Sequence, residues 1–414
     1  MHGDIKGAFL SDTDATNVSA DTLNSVNTFY GTFATSTGWT VQSDWTIGGG
    51  VATCNGAGSG RFIFPFPEDS WTIGSSVVVE VTVTAYTSGT LFVSYSNGTE
   101  TAGTNMTATG TYKFVGTVSA NTIVYIGSNS FVGSIDNVKI YYAEEDRSVN
   151  NKGLIPYGTI TKTPVATGAE LVGYSGFNGS SSNYLQQPYN SALDFGTGDF
   201  SLMYWFYQST HSYYQDVLSR QVSSATDGGW TVQHQIDGTI RFYLRTGGVW
   251  VDLLNSDNSI TTSSWTHVAV VRTGNNFNMY INGVIGDASG GTNSGTATLN
   301  NANLRINTRP DQTAYPILTG NSIALVRLSA SAPSAEQIKK MYEDEKVLFQ
   351  ENADCTLYGS SDAVTALAYD EKTNLLHVGT SSGRSDFNGL RRINNTTEAV
   401  TTAISAYDGS IAQQ

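Results

Sequence analysis

Residues 265–285, WTHVAVVRTGNNFNMYINGVI, contain two runs in which apolar and polar side chains fall on opposite faces. The first run, 265–272, and the second, 277–281, have the two-residue period of β-strands, and the turn cluster TGNN separates them. Asn282-Gly283 follows the second run and is a dipeptide that type I′ hairpin turns favour. The pattern predicts a half-buried antiparallel meander.

Short alternating runs separated by turns fill most of the remaining chain. They predict a first β-sandwich over residues 26–145, in which SVVVEVTVT at 76–84 alternates most clearly. A second set of strands runs over residues 153–349 and predicts a second sandwich. The charged, polar run EEDRSVNN at 144–151 lies between the two sets, and we place a domain boundary there.

One helix is predicted, from about Ser334 to Lys346. Ser334 and Gln337 have the spacing of a capping box, and apolar residues recur on one helical face after them. Residues 1–25 are polar and mixed, so we expect an N-terminal arm or linker.

Residues 354–414 contain strand patterns, among them DAVTALAYD and NLLHVGT, that are typical of one β-propeller blade. One blade cannot close a propeller, and a segment of this length buries little core alone. Three explanations stay open: other subunits supply further blades, the strands pack only in an oligomer, or the chain stops early. The sequence thus predicts an all-β fold with two tandem β-sandwiches (jelly rolls), one short capped helix and a small, oligomer-dependent β-rich C-terminal segment.

Charge and cysteine content exclude several classes of protein. The formal net charge is −14, so nucleic acid is not an expected partner. No apolar run reaches the length of a membrane span and no signal-peptide pattern occurs, so we expect no membrane insertion. The two cysteines, Cys54 and Cys355, lie in different predicted domains, which excludes a disulfide framework.

The candidate glycan-binding residues are aromatic side chains beside predicted turns. A ring face stacks on sugar C–H groups while neighbouring polar groups fix the hydroxyls. The candidates are Tyr213, Tyr214, Trp230, Trp250 and Tyr315. Packing in the core is the alternative explanation, and for Tyr213 and Trp250 the sequence favours neither.

The motifs give no support for catalysis. A glycoside hydrolase needs two carboxylates facing each other across a cleft, and the chain has no E-x-D-x-x-E strand to supply them. No G-x-S-x-G elbow and no nucleotide-binding glycine loop occurs. We therefore expect that the protein is not an enzyme.

Four ordered motifs resemble the LamG family of concanavalin A-like jelly rolls. They are YSGFNGSSSNY at 174–184, LDFGTGDFSL at 193–202, the meander at 265–285 and SAEQI at 334–338. The resemblance implies a binding or scaffold module at residues 153–349. In the first sandwich, GWT at 38–40 and SIDNVKIY at 134–141 resemble carbohydrate-binding jelly rolls of the CBM4/9 type.

Related jelly rolls often bind calcium through loop oxygens, so Ca²⁺ is the one cofactor that the resemblance brings into question. The candidate ligands are Asp216, Asp227, Asp257 and Asp311. None belongs to a dense Asp-x-Asp-x-Asp run, and Asx turns are the commoner reason for aspartates in loops. The histidines lack the spacing of zinc ligands, and no other metal or cofactor is expected.

Residues 146–177 and 348–370 resemble tail-fibre and other virion proteins of bacteriophages. The resemblance implies a phage virion structural or attachment protein, either a tail fibre or an appendage, assembled in the host cytoplasm and located in the virion. Its expected partners are further copies of itself, as a homotrimer by analogy with such fibres, other virion proteins and host-surface glycans. The alternatives are a stand-alone lectin-like glycan-binding protein and, as a third hypothesis, a glycoside hydrolase.

Overall fold

A computed structural model describes residues 4–9, 29–31, 33–34, 36, 39–42, 44–58, 61–63, 76–94, 101–117, 125–150, 152–222, 227–310, 314–359 and 363–414. Over these residues the chain consists mostly of β-strands in several sheets, with one α-helix and two short 3₁₀ helices. The predicted all-β fold class is confirmed. None of the helices described is long and apolar enough to cross a membrane.

The first ten strands run from near the N-terminus to the junction. They are β1 (Ile5–Phe9), β2 (Phe29–Gly31), β3 (Thr40–Val41), β4 (Trp45–Gly48), β5 (Val51–Asn55), β6 (Arg61–Ile63), β7 (Ser76–Ser94), β8 (Thr101–Met106), β9 (Gly110–Thr117) and β10 (Tyr125–Tyr142).

Strands β2 to β10 form the first module around the long antiparallel pair β7–β10. Val77, Val79, Val81 and Val83 occupy alternate positions of β7 and are buried in one cluster with Ile135 of β10. The register of β7 against β10 shifts at four places, and such bulges bend the strands. The alternation visible in the sequence therefore builds the core of this module.

The second module follows the junction. Its strands are β11 (Ile155–Tyr157), β12 (Thr161–Pro164), β13 (Val172–Ser175), β14 (Tyr184–Gln187), β15 (Phe200–Gln208), β16 (Gln215–Gln221), β17 (Trp230–His234), β18 (Ile240–Thr246), β19 (Val249–Asn255), β20 (Ser264–Thr273), β21 (Asn276–Ile281), β22 (Val284–Ile285), β23 (Gly291–Thr292), β24 (Asn303–Ile306) and β25 (Ser322–Ser329).

These strands form two sheets with one hydrophobic core between them. The seven-stranded sheet has the order β11-β14-β24-β16-β17-β18-β19. The nine-stranded sheet follows β12-β13-β25-β15-β20-β21-β22, with β1 also on β25 and β23 on β21. Strands β20 and β21 are the predicted meander, and Asn282 (φ 51°) and Gly283 (φ 77°) have the two positive φ angles of a type I′ turn.

The helix α1 (Ala335–Glu345) begins after Ser334. The Ser334 hydroxyl accepts a hydrogen bond from the Gln337 backbone N–H, and the Gln337 side chain accepts one from the Ser334 N–H, so the predicted capping box is formed. Ile338 of α1 packs on Val271 of β20. Because the helix covers this face, β20 is buried on both sides and is not the half-buried strand that the alternation predicted.

Strand β1 belongs to the second module although it precedes the first in sequence. It pairs antiparallel with β25, and Phe9 lies opposite Val326. The predicted arm, residues 1–25, therefore includes a strand of the nine-stranded sheet. The Asp146 carboxylate at the junction accepts hydrogen bonds from the backbone N–H groups of Ala8, Ser148 and Lys152, and so ties β1 to the junction.

The C-terminal segment follows α1 and the 3₁₀ helix Lys346–Phe349. Its strands are β26 (Val364–Asp370), β27 (Leu375–Thr380), β28 (Gly383–Asn388), β29 (Arg391–Thr396), β30 (Ile404–Tyr407) and β31 (Ser410–Gln413). The first four form an antiparallel sheet in consecutive order, and the last two form a hairpin.

Glu170 of the second module fastens this segment to the sandwich. Its carboxylate accepts hydrogen bonds from the Cys355 N–H and from the N–H and hydroxyl of Thr356, each at 2.7 Å, and it lies 3.0 Å from Nη2 of Arg392. Burial acts to raise the pKa of Glu170, but these hydrogen bonds and the Arg392 charge outweigh it, and the pKa is lowered from 4.5. We call this arrangement the Glu170 latch.

Candidate functional site

The seven-stranded sheet has one face against the core and an opposite face that is polar. Cross-strand partners on the polar side form one row with a residue from each of six strands: Gln186, Arg305, Ser219, Thr231, Tyr243 and Asp252. At about 4.8 Å between neighbouring strands, the row spans roughly 24 Å. We call this row, together with Asp216, Gln233, Arg241, Arg245, Trp250 and the loop residue Arg309, the polar face.

Three of the predicted aromatic residues meet at the start of β16. The ring centroids of Tyr213 and Tyr214 lie 6.1 and 5.4 Å from that of Tyr315. The backbone N–H of Asp216 donates to the Tyr315 carbonyl at 2.8 Å, which holds the loop after β24 against β16. Tyr213 is 43% exposed. These three side chains form what we call the tyrosine cluster.

A buried ion pair connects the tyrosine cluster to Trp250. Asp216 is fully buried, accepts a hydrogen bond from Gln233 Nε2 at 2.8 Å, and has Oδ2 3.4 Å from Nε of Arg309. The Arg309 guanidinium carbon in turn lies 4.7 Å from the centre of the Trp250 ring. Aromatic side chains therefore lie on the polar side of the sheet beside a buried ion pair, and binding sites for sugars combine aromatic with polar side chains.

Three of the four candidate calcium ligands lie among the described residues, and each of them is engaged by another group of the protein. Asp216 is wrong as a loop ligand, because it lies in β16 and its carboxylate is engaged by Arg309. Asp227 accepts hydrogen bonds from the N–H groups of Gly247 and Gly248 and fixes that turn. Asp257 accepts one from the Ala288 N–H. Asp311 lies outside the described residues, among which no group of three or more His, Cys, Asp or Glu side chains is arranged to hold a metal.

Trp230 is not a sugar-stacking residue. It is fully buried in the core between the two sheets, opposite Arg220 on one neighbouring strand and Leu244 on the other. A ring that is closed in on both faces has no surface for a ligand. Among the five aromatic candidates, the structure thus brings Tyr213, Tyr214 and Tyr315 together, places Trp250 beside Arg309 and excludes Trp230.

One flank of the polar face is formed by β18 and β19. Nη1 of Arg241 lies 3.0 Å from Oδ2 of Asp252, and burial raises the pKa of Asp252 although Arg241 opposes that effect. Arg245 donates to the Gly248 carbonyl at 2.7 Å, and its guanidinium carbon lies 5.7 Å from the Trp250 ring centre. Arg245 has no carboxylate within ion-pair distance in the described part of the chain.

The other flank is formed by β14 and β24. Nε of Arg305 donates to Oε1 of Gln186 at 2.9 Å, and its guanidinium carbon lies 4.1 Å from the Tyr184 ring centre. Tyr184 stacks on Tyr157 at 4.5 Å, and Lys113 of the first module lies 4.6 Å from the Tyr157 ring centre. Burial raises the pKa of both tyrosines. This stack connects the two modules and holds the Arg305 guanidinium in place.

The arginines of the polar face are residues that the sequence analysis missed. A signal was present in β18, where IRFYLRT places Arg241, Tyr243 and Arg245 on one face and apolar residues on the other. Leu304-Arg305-Ile306 in β24 has the same alternation. For Arg309 no signal exists in the sequence, because it follows β24 and reaches the face only through the course of its loop.

A cavity of about 610 Å³ lies elsewhere, between β1, the junction and the C-terminal segment. Phe9, Leu171 and Leu348 are among its mainly apolar lining residues. Two of its charged groups, Arg327 and Glu345, are paired with each other. None of the predicted site residues lines the cavity, and its apolar walls offer few partners for sugar hydroxyls.

The sheet β26–β29 exposes an apolar surface. Leu367 is 60% exposed and Tyr369 54%, and both lie on one face of β26. Leu376 of β27 is opposite Tyr369 and is also exposed. Within residues 363–414 the buried hydrophobic side chains are Val378, Phe387 and Val400. So small a core leaves much of this sheet's apolar surface in contact with water.

Comparison with known families gives one match. The Laminin_G_3 family, described as the concanavalin A-like lectin/glucanases superfamily, matches residues 178–339. This segment is therefore a concanavalin A-like jelly-roll domain, and the predicted LamG resemblance is confirmed for it. The match covers most of both sheets around the polar face and ends within α1. A comparison with curated proteins finds no match.

A comparison with solved structures gives matches that share little sequence with the chain. Domain 4 of AbnA, a GH43 extracellular arabinanase from Geobacillus stearothermophilus, in complex with arabinotriose, has 18% identity and a TM-score of 0.38, covering 48% of this chain and 93% of that domain. The binding domain of Paraclostridial Mosquitocidal Protein 1 has 14% identity and a TM-score of 0.39, covering 59% of this chain and 62% of that one. The receptor binding domain of botulinum neurotoxin D has 14% identity and a TM-score of 0.40, covering 63% of each chain. The chain thus spans less than two thirds of either toxin domain, and at these low scores nothing that the three proteins bind is transferred to it.

Proposed function

We propose that this protein binds glycans through the polar face of its concanavalin A-like domain and has no catalytic activity. The observation that carries the proposal is the juxtaposition of the tyrosine cluster, the Asp216–Arg309 pair and Trp250. A glycan chain presents apolar C–H faces and hydroxyl groups, and this surface offers the exposed Tyr213 together with the partly exposed Tyr214, Trp250, Arg241 and Arg245.

Binding without turnover is favoured by how the carboxylates of the polar face are engaged. Asp216 is buried and faces Arg309, and Asp252 faces Arg241. A glycosidase requires one carboxylic acid that gives a proton to the leaving oxygen and a second, ionised carboxylate opposite it. Two carboxylates that are each held by an arginine are poorly suited to that exchange of protons.

We propose further that the protein acts as an attachment component of a phage virion, a tail fibre or appendage, in which several copies of the chain assemble. The resemblance of residues 146–177 and 348–370 to virion proteins supports this setting. The exposed apolar face of β26 and β27 supports assembly, because a second and a third copy would remove it from water. Weak individual glycan sites then gain strength by acting together.

Glycan binding is tested with a glycan array followed by titration of the best ligand. We expect Tyr214→Ala and Trp250→Ala each to weaken binding about tenfold or more, since burying a large apolar side chain typically contributes about 1.5–3 kcal/mol. Tyr407→Ala is the matched control, because Tyr407 is an exposed tyrosine of the C-terminal hairpin. Loss of affinity in the control alone, or binding that neither site variant weakens, would place the glycan elsewhere.

Assembly is tested by light scattering on a sizing column. We expect a mass three times 44.2 kDa for the full chain and a monomer for Leu367→Glu, which puts a charge on the apolar face. Val284→Glu, an exposed apolar position on the edge strand β22, is the control and should remain assembled. A monomeric wild-type chain would contradict the virion-fibre proposal and leave the stand-alone lectin-like alternative.

A further inference from the structure

The described residues of the polar face include more arginines than aspartates, although the chain as a whole is acidic. The chain has a formal net charge of −14. The polar face contains the arginines 241, 245, 305 and 309 and the aspartates 216 and 252. Two of the arginines are paired with the two aspartates, and Arg245 and Arg305 have no carboxylate within ion-pair distance among the described residues.

The groups that orient the Arg305 side chain are uncharged. Its Nε is occupied by Gln186, and its Nη2 lies 3.5 Å from the Tyr184 hydroxyl. The Tyr184 ring beneath it fixes the plane of the guanidinium. A planar guanidinium that is oriented by uncharged partners keeps its full charge and matches the two oxygens of a carboxylate or sulfate.

Arg245 has the equivalent arrangement on the opposite flank. One nitrogen donates to the Gly248 carbonyl, and the guanidinium lies near the Trp250 ring. Its Nε is buried and has no hydrogen-bond partner in the part of the chain that the structure describes. Arg245 and Arg305 lie on β18 and β24, which are separated in the sheet by β16 and β17, so roughly 14 Å of sheet divides them.

We infer that the ligand of the polar face is an anionic polysaccharide, with carboxylate or sulfate groups on more than one sugar unit. The inference rests on the proposed glycan-binding function. A neutral glycan bound over the two arginines would displace water from them and supply no negative charge in return. That loss of hydration costs free energy. An anionic chain that crosses the strands would place successive acidic groups over the two flanks.

The test compares glycans that share a backbone and differ in charge. Isothermal titration is carried out with oligogalacturonate and its methyl ester, and with a carrageenan oligosaccharide and the same oligosaccharide after chemical desulfation. We expect the anionic member of at least one pair to bind at least tenfold more tightly, and added salt to weaken it. The pair that responds distinguishes carboxylate from sulfate recognition.

Substitution of Arg305 and Arg245 tests whether these two side chains bind the acidic groups of the glycan. We expect Arg305→Gln and Arg245→Gln each to reduce the affinity for the anionic glycan about tenfold, as is typical for hydrogen bonds to charged groups. Arg305→Lys should recover only part of the loss, because lysine lacks the planar fork. Lys340→Gln is the control, since Lys340 is exposed on α1, remote in sequence from the polar face.

Each other outcome overturns a different statement. Equal binding of neutral and anionic glycans that still depends on Trp250 leaves glycan binding standing and removes the anionic inference. Preference for anionic glycans that survives both arginine variants removes it as well. If poly-L-glutamate binds as tightly as the anionic glycans, the protein recognises negative charge alone, and the inference that its ligand is a polysaccharide is wrong. Failure of every glycan on the array and in the titrations overturns the proposed function itself.

Discussion

The Glu170 latch gives a quantitative prediction about how the C-terminal segment is held. Glu170→Ala removes three hydrogen bonds of 2.7 Å and the contact with Arg392. Hydrogen bonds to a charged group contribute about 1.5–3 kcal/mol each. Since the Glu170 side chain is 26% exposed, hydrogen bonds to water replace part of this stabilisation. We expect the substitution to reduce the free energy that holds the segment by about 2–3 kcal/mol in total. Detachment of the segment should then rise roughly 30- to 150-fold.

Hydrogen exchange measured by mass spectrometry follows this detachment directly. The Arg392 amide of β29, which bonds to the Asp354 carbonyl beside the latch, should exchange faster in Glu170→Ala by up to that factor, while the amides of β15 in the sandwich core remain as in the wild type. Glu351→Ala is the matched control, because Glu351 is exposed and close to the latch in sequence. If β29 exchanged at the same rate in all three proteins, the latch would contribute nothing and the reasoning from its hydrogen bonds would be refuted.

The latch also has a defined dependence on pH. The pKa of Glu170 is lowered below 4.5 in the folded protein, so its contribution is fully present above pH 4.5. It is lost as the pH falls through the lowered pKa, because the protonated carboxyl accepts these hydrogen bonds poorly. Wild type and Glu170→Ala should therefore differ in protection of β29 at neutral pH and converge in acid. A difference that persisted unchanged in acid would mean that the charge plays no part.

Two further predictions concern the stability of the second module. Glu345→Ala should lower the free energy of unfolding in denaturant by about 3–5 kcal/mol, because it leaves the buried Arg327 charge unpaired, whereas the exposed Glu343→Ala should leave it unchanged. Burial lowers the pKa of His234 and His267 from 6.5 to about 3, so both are neutral when folded, and the unfolded chain binds the extra protons. Below pH 6.5 and well above pH 3, each of these histidines should lower the free energy of unfolding by up to about 1.4 kcal/mol for each unit that the pH drops, and His234→Gln should make the pH dependence shallower; a dependence unchanged by the substitution would contradict this account.

Local signals in the sequence predicted much of the fold. The alternation in residues 265–285, the Asn282-Gly283 turn and the Ser334 capping box all act over a few residues, and each is present in the structure. The same alternation could have shown that Trp230 faces the core and that Trp250 lies on the polar face. Trp230 is two residues from the core residue Val232, whereas Trp250 alternates with apolar neighbours and shares its side of β19 with Asp252.

What the sequence could not predict depends on contacts between distant segments. The tyrosine cluster requires the loop after β24 to pass the start of β16, and a hydrogen bond between Asp216 and Tyr315 holds it there. The burial of β20 on its second face requires a helix that comes about 60 residues later. Neither arrangement leaves a periodic pattern in the segments themselves, so residue spacing alone carries no information about them.

The pairing of β1 with β25 has a consequence for how the chain is made. Ser329 donates a hydrogen bond to the carbonyl of Asp4, 325 positions away. At a synthesis rate of about 5–20 residues per second, β1 emerges from the ribosome roughly 15 seconds to a minute before its partner strand exists. The first module, β2–β10, has time to fold in that interval. Strand β1 must meanwhile wait with its hydrogen-bonding groups unpaired, so the nine-stranded sheet gains its earliest-made strand only after β25 has been made.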